Sequence, residues 1–418
     1  WCQGLGGNPV PEITPPCNSV VLPEVCDAFD QTLNNYDMTE GLANNENIRQ
    51  QDRCPAENQG IPTGTTDPVD LYTGQFFTNC ASLETPGRNM DMETLFNYNS
   101  GSAFNGQFGY GWMMNFYMRL HELYGGDVAI VKSNGRKVRF TVSGSTYVSP
   151  PGQFETLEEN GDNTWTLTKA QGEEFHFDTD GKLTSLEDKN GNTISLSYEV
   201  NTYEHKGYSP FGQDPLTKIT LGVDYRLSTI TDTTGRTYDF TYNADGLLIK
   251  IEEGTRDVDL TYDSATHDLL SITKPTTTQF PSGVSKTFIY DADHNIVQMK
   301  DAKNQIFVDN TYDAEGRVIE QELGGESIFL DYSVPGEVTE TDRNGNDITY
   351  TFNTDGLMTQ REVFTNGLRS GEPTSYISTV TYNSDFLKTS EEFPKGNGVK
   401  FTYDSSNSDP RARGNLLE

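Results

Sequence analysis

The groups from which an active site would have to be assembled are few on the basic side and abundant on the acidic side. There are five histidines, His121, His176, His205, His267 and His294, against 62 Asp and Glu. A nucleophile needs a base within hydrogen-bond reach. No histidine here sits beside a GxSxG or HExxH run, the patterns that expose a serine on a tight elbow or set two imidazoles on one helix face. His267 and His294 fall at turn positions, and His205 lies in a polar, Pro-containing stretch, Val200 to Leu216. Paired carboxylates are the other route to hydrolysis. The pairs Glu158-Glu159, Glu173-Glu174, Glu252-Glu253 and Glu391-Glu392 are adjacent in strand-like sequence, where neighbouring side chains point to opposite faces. No Gly-rich loop follows a strand and opens a helix, so no phosphate cradle is indicated. The expectation is a protein that is not an enzyme, with no catalytic and no cofactor-binding residue.

Metal and thiol chemistry are equally thin. DTDG at Asp178 and DRNGND at Asp342 look like pieces of calcium loops, but neither has the ligand spacing and closing Glu of one. Calcium is the only cofactor hinted at, and no metal ligand is assigned. All five cysteines, Cys2, Cys17, Cys26, Cys54 and Cys80, fall in the first 80 residues. There is no CxxC and no CxxCH, which argues against zinc, thioredoxin-type and haem chemistry. Their confinement to a proline-rich head predicts disulfide staples and an oxidising compartment. Two bridges leave one cysteine, which pairs between chains, pairs beyond this sequence or stays a buried thiol.

The elements that would position any of these groups are announced by a returning phrase: an aromatic, a short acidic or amide residue, and a Gly turn. It reads FDTDGKL at Phe177, TYNADGLL at Tyr242, TYDAEGRV at Tyr312 and TFNTDGLM at Phe352, with looser copies at Tyr198, Tyr262, Tyr290, Tyr332, Tyr382 and Tyr403. The aromatics Tyr242 and Tyr262, Tyr312 and Tyr332, and Tyr332 and Phe352 are 20 apart, Phe177 and Tyr198 are 21 apart, and Tyr290 and Tyr312 are 22 apart. A fixed period of this size is the mark of a repeat architecture. A second turn, DKNGNT at Asp188, DTTGRT at Asp232 and DRNGND at Asp342, falls ten or eleven residues from the first. Asn-Gly and Asp-Gly supply the positive φ of tight turns, and Thr193-Ile194-Ser195-Leu196-Ser197-Tyr198 alternates between them as a strand does. The unit is a β-hairpin whose edges must be paired by the next hairpin. The repeat aromatics are expected to be packing elements with their hydroxyls near water. The Asp that follows each is expected to close its turn.

These repeats resemble the YD repeats of the RHS (rearrangement hotspot) proteins. The resemblance is strengthened by an ordered series ahead of them: TDPVDLYTGQFF (Thr66 to Phe77), TPGRNMDMETLFNYNS (Thr85 to Ser100), GQFGYGWMMNFYMRL (Gly106 to Leu120) and GDVAIVKSNGRKVRF (Gly126 to Phe140). It covers about Asp67 to Glu418 and implies an all-β fold, an array of β-hairpins that spirals as a sheet strip or hollow shell. Related shells occur in polymorphic bacterial toxins, Tc toxin cocoons and teneurin adhesion proteins. The self-cleaving DPxGL-like motif of the toxin members has no counterpart here: Asp409-Pro410 is followed by Arg411-Ala412-Arg413.

The organisation read from sequence is a Cys/Pro-rich head over 1–66, a strand-rich lead-in domain over 67–170 and YD repeats over 171–418. One short helix is expected from Glu24 to Tyr36, and insertions are expected at 200–216, near Lys274 to Ser285 and at Asn366 to Ser375. Apolar residues are 33 %, about 42 % with the 39 Gly, below the usual ~45–50 %, as suits a strip with two wet surfaces. Thirty basic against 62 acidic residues give a net charge of −32. That charge repels phosphate backbones and anionic bilayers, so neither nucleic acid nor membrane insertion is expected. The array is read as continuing past Glu418, which leaves the edge from Val399 to Tyr403 to be capped by more of the same chain or by a second copy. Head-to-tail capping of that kind builds filaments. Two functions fit: a secreted or cell-surface structural or adhesive scaffold, or the shell portion of an RHS toxin enclosing a C-terminal effector.

Overall fold

Alternation of apolar and polar residues between Asx–Gly turns produces the same hairpin again and again. In the computed structural model, residues 68–417 are described, apart from 103, 124, 136, 201–224, 366 and 368. Twenty-one strands, from Thr156–Glu159 to Gly398–Lys400, form one antiparallel sheet in which every strand pairs with its neighbours in sequence. The long sheet thus begins at Thr156, inside the stretch read as the lead-in domain. Ahead of it lie a three-stranded sheet of Phe77–Thr85, Met92–Asn99 and Trp112–Met114, and a four-stranded sheet over 119–148. No α-helix occurs among the described residues. The loops near 274–285 and 366–375 extend hairpins without breaking their pairing: Lys274 still faces Val284, and Phe364 faces Ser375.

The turns close as the sequence predicts. Asp188 Oδ1 accepts the N–H groups of Asn190 and Asn192 at 2.8 and 2.9 Å, and Asp232, Asn243, Asp313 and Asp342 do the same. Desolvation pushes the Asp188 carboxyl up, but hydrogen bonds from Asn192 and Asn190 outweigh it and hold it at about 2. His294 takes the glycine place of its turn at φ 66°.

At the repeat aromatics the register slips. A bulge or irregularity falls between His176 and Phe177, Ser197 and Tyr198, Thr241 and Tyr242, Thr261 and Tyr262, Ile289 and Tyr290, Thr311 and Tyr312, Thr351 and Phe352, and Thr381 and Tyr382. A bulge bends and twists the strand that carries it, and the same bend repeated at the same place curls the strip. The curl brings the two ends of the array together. A Cβ placed on Gly414 would stand 3.1 Å from the Phe154 ring, and one on Gly152 would stand 3.4 Å from Phe386.

The hydroxyls of the repeat tyrosines are not near water. Six of the eight reach across to the carbonyl of the residue paired with the preceding aromatic: Tyr198 to Leu183 and Tyr242 to Leu227 at 2.7 Å, Tyr290 to Leu269 at 2.8 Å, Tyr312 to Ile296 at 2.9 Å, Tyr382 to Met358 at 2.7 Å and Tyr403 to Lys388 at 2.9 Å. The bulge leaves that carbonyl outside the ladder, and a buried carbonyl needs a donor. Tyr262 and Tyr332 keep the position, but their buried hydroxyls find no partner. Phe177 and Phe352 fill it with no hydroxyl to place.

Two further expectations change. Cys80 is not a staple: it lies on Phe77–Thr85 with its side chain in the core, as a free thiol 3.6 Å from Lys286 Nζ. Burial pushes that thiol above the usual range. The alternation of the strand points it inward. Cys2, Cys17, Cys26 and Cys54, the helix expected at Glu24 and nearly all of the 200–216 insertion lie outside the described residues. The edge expected to stand open is partly covered, because residues 415–417 return along it. Leu417 N–H donates to Thr402 O at 2.7 Å, and Asp404 N–H to Asn415 O at 3.0 Å.

Candidate functional site

The residues that do most in this fold are those that seat the lead-in domain inside the curl. Its strands touch one repeat after another around the array. Leu120 N–H donates to Gly181 O at 2.9 Å, Leu248 N–H to Gln107 O at 2.8 Å, and Val318 N–H to Gly74 O at 2.8 Å. The Tyr72 and Phe352 rings meet at 5.3 Å. Gly181 has φ 71°, and any Cβ there would overlap the Leu120 carbonyl, so this approach requires glycine. On the other side Arg256 reaches Glu84 O at 3.2 Å and Thr85 Oγ1, and Arg236 reaches Pro86 O. One continuous core runs from Val69 to Val380.

The densest part of the seat is aromatic. Tyr98 OH donates to His294 O at 2.9 Å and accepts from Ile296 N–H at 3.2 Å. Trp112 Nε1–H donates to Tyr290 OH at 2.8 Å. Tyr110 stacks on the His294 ring at 4.0 Å and 15°, while His294 Nδ1 lies 2.8 Å from the buried Asp268. Burial pushes the Tyr98 and Tyr290 hydroxyls well above the tyrosine range. The Tyr98 hydroxyl and the Trp112 indole N–H of the lead-in domain both bond to the repeats. Sequence reasoning missed Tyr98, Tyr110 and Trp112 as a group; the aromatic crowding of GQFGYGW was the available signal.

The histidines are scattered. His121 is held near neutral core on Arg119–Glu122, where burial first, then the charges of Arg119 and Lys137, lower it to about 4. His176 stands in a cross-strand polar row: its Nδ1 is 3.3 Å from Thr166 Oγ1, and its Nε2 is 3.6 and 3.9 Å from Glu174 and Glu187. Thr166 Oγ1 also accepts from Asn160 Nδ2 at 3.2 Å. His267 occupies a turn at φ 62°, and His205 lies outside the described residues. The DTDG carboxylates Asp178 and Asp180 are met by Lys182 Nζ at 3.0 and 2.6 Å. Among the described residues no group of three or more His, Cys, Asp or Glu could hold a metal.

A cavity of about 560 Å³ separates the lead-in domain from the first hairpins. Met90, Met118, Phe154, Phe175 and Leu186 give it apolar walls. Glu173 and Glu174 both border it; Glu173 precedes the strand Glu174–Phe177 and meets Lys169, while Glu174 pairs with Glu187 on the face opposite Phe175. Lys132 and Glu155 form a buried pair at 2.5 Å on one side.

Residues 66–140 match the family model of a domain of unknown function, DUF6531. No curated protein matches the chain. Among solved structures, a TcdB2-TccC3-Cdc42 crystal structure is similar over 93 % of this chain and 23 % of its own, at 11 % identity and a TM-score of 0.29. The Photorhabdus luminescens Tc holotoxin pore is similar over 80 % of this chain and 22 % of its own, at 13 % identity and a TM-score of 0.18. A porin-like protein from Bacteroides uniformis is similar over 61 % of this chain and 89 % of its own, at 11 % identity and a TM-score of 0.17. The chain spans about a quarter of the length of the toxin chains, and TM-scores this low carry no functional argument.

Proposed function

We propose that this chain is a non-catalytic RHS-repeat scaffold, secreted or displayed at the cell surface, in which a curled hairpin array carries its own lead-in domain as a hub. The observation that supports it most directly is the destination of the repeat tyrosines. Six of the eight repeat tyrosines between Tyr198 and Tyr403 have their hydroxyls bonded to backbone carbonyls, and Phe96, Tyr98 and Trp112 of the lead-in domain share one buried core with the repeats. The net charge of −32 keeps such a surface solvated and apart from anionic partners. No helix among the described residues is long and apolar enough to cross a membrane.

Protease shaving of intact cells, with an antibody against the array, tests this reading. Loss of the surface signal, or recovery of the chain from the medium, is the expected result; protection inside the cell until lysis refutes it. The shell of an RHS toxin is the second reading. It draws on the same curl, since a strip that meets its own beginning can wall off a lumen. Limited proteolysis of the native full-length protein separates the two: a protected fragment foreign to the array supports the toxin shell, and none supports the scaffold.

A further inference from the structure

Tyr262 and Tyr332 depart from the pattern of the other repeat tyrosines, and both do so where the lead-in backbone grips the array. By that pattern Tyr262 would donate to Leu248 O and Tyr332 to Val318 O, since Leu248 pairs with Tyr242 and Val318 with Tyr312. The N–H groups of these same two residues are taken by lead-in loops, Leu248 by Gln107 O and Val318 by Gly74 O, each at 2.8 Å. The two tyrosine hydroxyls are buried with no hydrogen-bond partner. At the first grip Gln107 Nε2 is a second buried donor in the same position. Gln107 and Tyr262 meet at one spot: a Cβ placed on Gly109, two residues along the same loop, would stand 3.2 Å from the Tyr262 ring. At the second grip, burial and then the charge of Asp70 raise the Tyr332 hydroxyl. Asp70 is itself buried and begins the turn that ends at Gly74, whose N–H donates to Asp70 O at 2.8 Å. A buried donor left unmade costs more than a formed bond returns, and internal water is the usual remedy where two to four polar groups converge.

We propose that each grip binds one internal water molecule, sealed from the bulk solvent. The first water accepts from the Tyr262 O–H and from Gln107 Nε2–H, and donates to Leu248 O. The second accepts from the Tyr332 O–H and donates to Val318 O and to the Asp70 carboxylate. Each makes the three bonds usual for a buried water, and each spans a gap that the tyrosine covers directly in the other repeats. A bridge of this kind is nearly as favourable as a direct bond. The lead-in domain is thus held at these two points through backbone bonds with a water beside each, whether the chain is a scaffold or a toxin shell.

A crystal structure of the full chain, at a resolution that orders internal water, is the test. One water is expected within hydrogen-bond reach, ~2.5–3.2 Å, of both Tyr262 Oη and Gln107 Nε2, and another within the same reach of Tyr332 Oη and Val318 O. None is expected between Tyr242 and Leu227, which bond directly at 2.7 Å. A grip without water, or either tyrosine bonded directly to its carbonyl, overturns the proposal. Thermal melts of the full chain give an independent reading in solution. Tyr262→Phe and Tyr332→Phe each remove one bond from a water that keeps its others, so each is expected to lower the melting temperature, and by less than Tyr242→Phe does. A melting temperature that rises in either variant marks a dry hydroxyl relieved of its burial cost, and that result overturns the proposal as well.

Discussion

Acid should loosen the lead-in domain before it touches the array, and His121 is the reason. Its Nε2 is buried on the strand whose Leu120 N–H donates to Gly181 O. Burial and the nearby Arg119 and Lys137 lower the imidazole from 6.5 to about 4. The unfolded chain therefore takes up this proton first. The stabilisation from keeping the ring neutral is complete above pH 6.5 and is lost as pH falls toward 4. A gap of about 2.5 pH units at 1.36 kcal/mol each gives about 3 kcal/mol. The turn carboxylates titrate elsewhere. Asp188 and Asp232 are held at about 2, so their contribution persists until pH drops below the ordinary aspartate value near 3.8. Guanidinium unfolding at pH 7.0, 5.5 and 4.5, followed by the fluorescence of the buried Trp112 in a Trp1→Phe/Trp165→Phe background and by far-ultraviolet circular dichroism, reads the two windows separately. The wild type is expected to lose most of its lead-in stability across this range, and His121→Gln, which cannot titrate, is expected to lose little. Parallel losses in both proteins would refute the assignment to His121.

Tyr242→Ala and Tyr312→Ala should each destabilise by roughly 2–4 kcal/mol, and Tyr242→Phe, which keeps the ring and leaves Leu227 O without its donor, by roughly 1–3 kcal/mol; silent thermal melts would remove the structural role. Ellman titration of the native protein should leave Cys80 unreacted until denaturant is added, and non-reducing peptide mapping should find two bridges among Cys2, Cys17, Cys26 and Cys54. Five free thiols would remove the oxidising-compartment reading. Light scattering across concentration should give a monomer if residues 415–417 cap the edge well enough, whereas mass growing with concentration would show that the exposed Leu416 and Leu417 recruit a second copy.

The hairpin array was legible because its signals are local. Asp188 and Gly191 make their turn from five consecutive residues, and Thr193 to Tyr198 alternates whatever lies beyond it. The tyrosine hydroxyls were misread because their partners are not local: Tyr242 finds Leu227 on a neighbouring strand, at the irregularity that the previous repeat makes at Ser197/Tyr198. Cys80 looked like a member of a cysteine cluster in sequence, yet strand alternation places it in the core beside Lys286. The seat of Tyr98 on His294 and Ile296 spans almost 200 residues, and no periodicity announces it.

The bulge at nearly every repeat aromatic also works as a gauge. If each hairpin adds the same bend, curvature is a property of the repeat and not of the total length. Strands stand about 4.8 Å apart, so 21 of them that nearly meet end to end trace a circumference of roughly 100 Å and a diameter of roughly 30 Å at the backbone. Adding hairpins to such a strip would not widen it. It would lengthen the coil along its axis at constant calibre, as turns lengthen a spring. Insertions and deletions of whole repeats would then change how much the coil holds, while the ring that grips the lead-in domain keeps its fit.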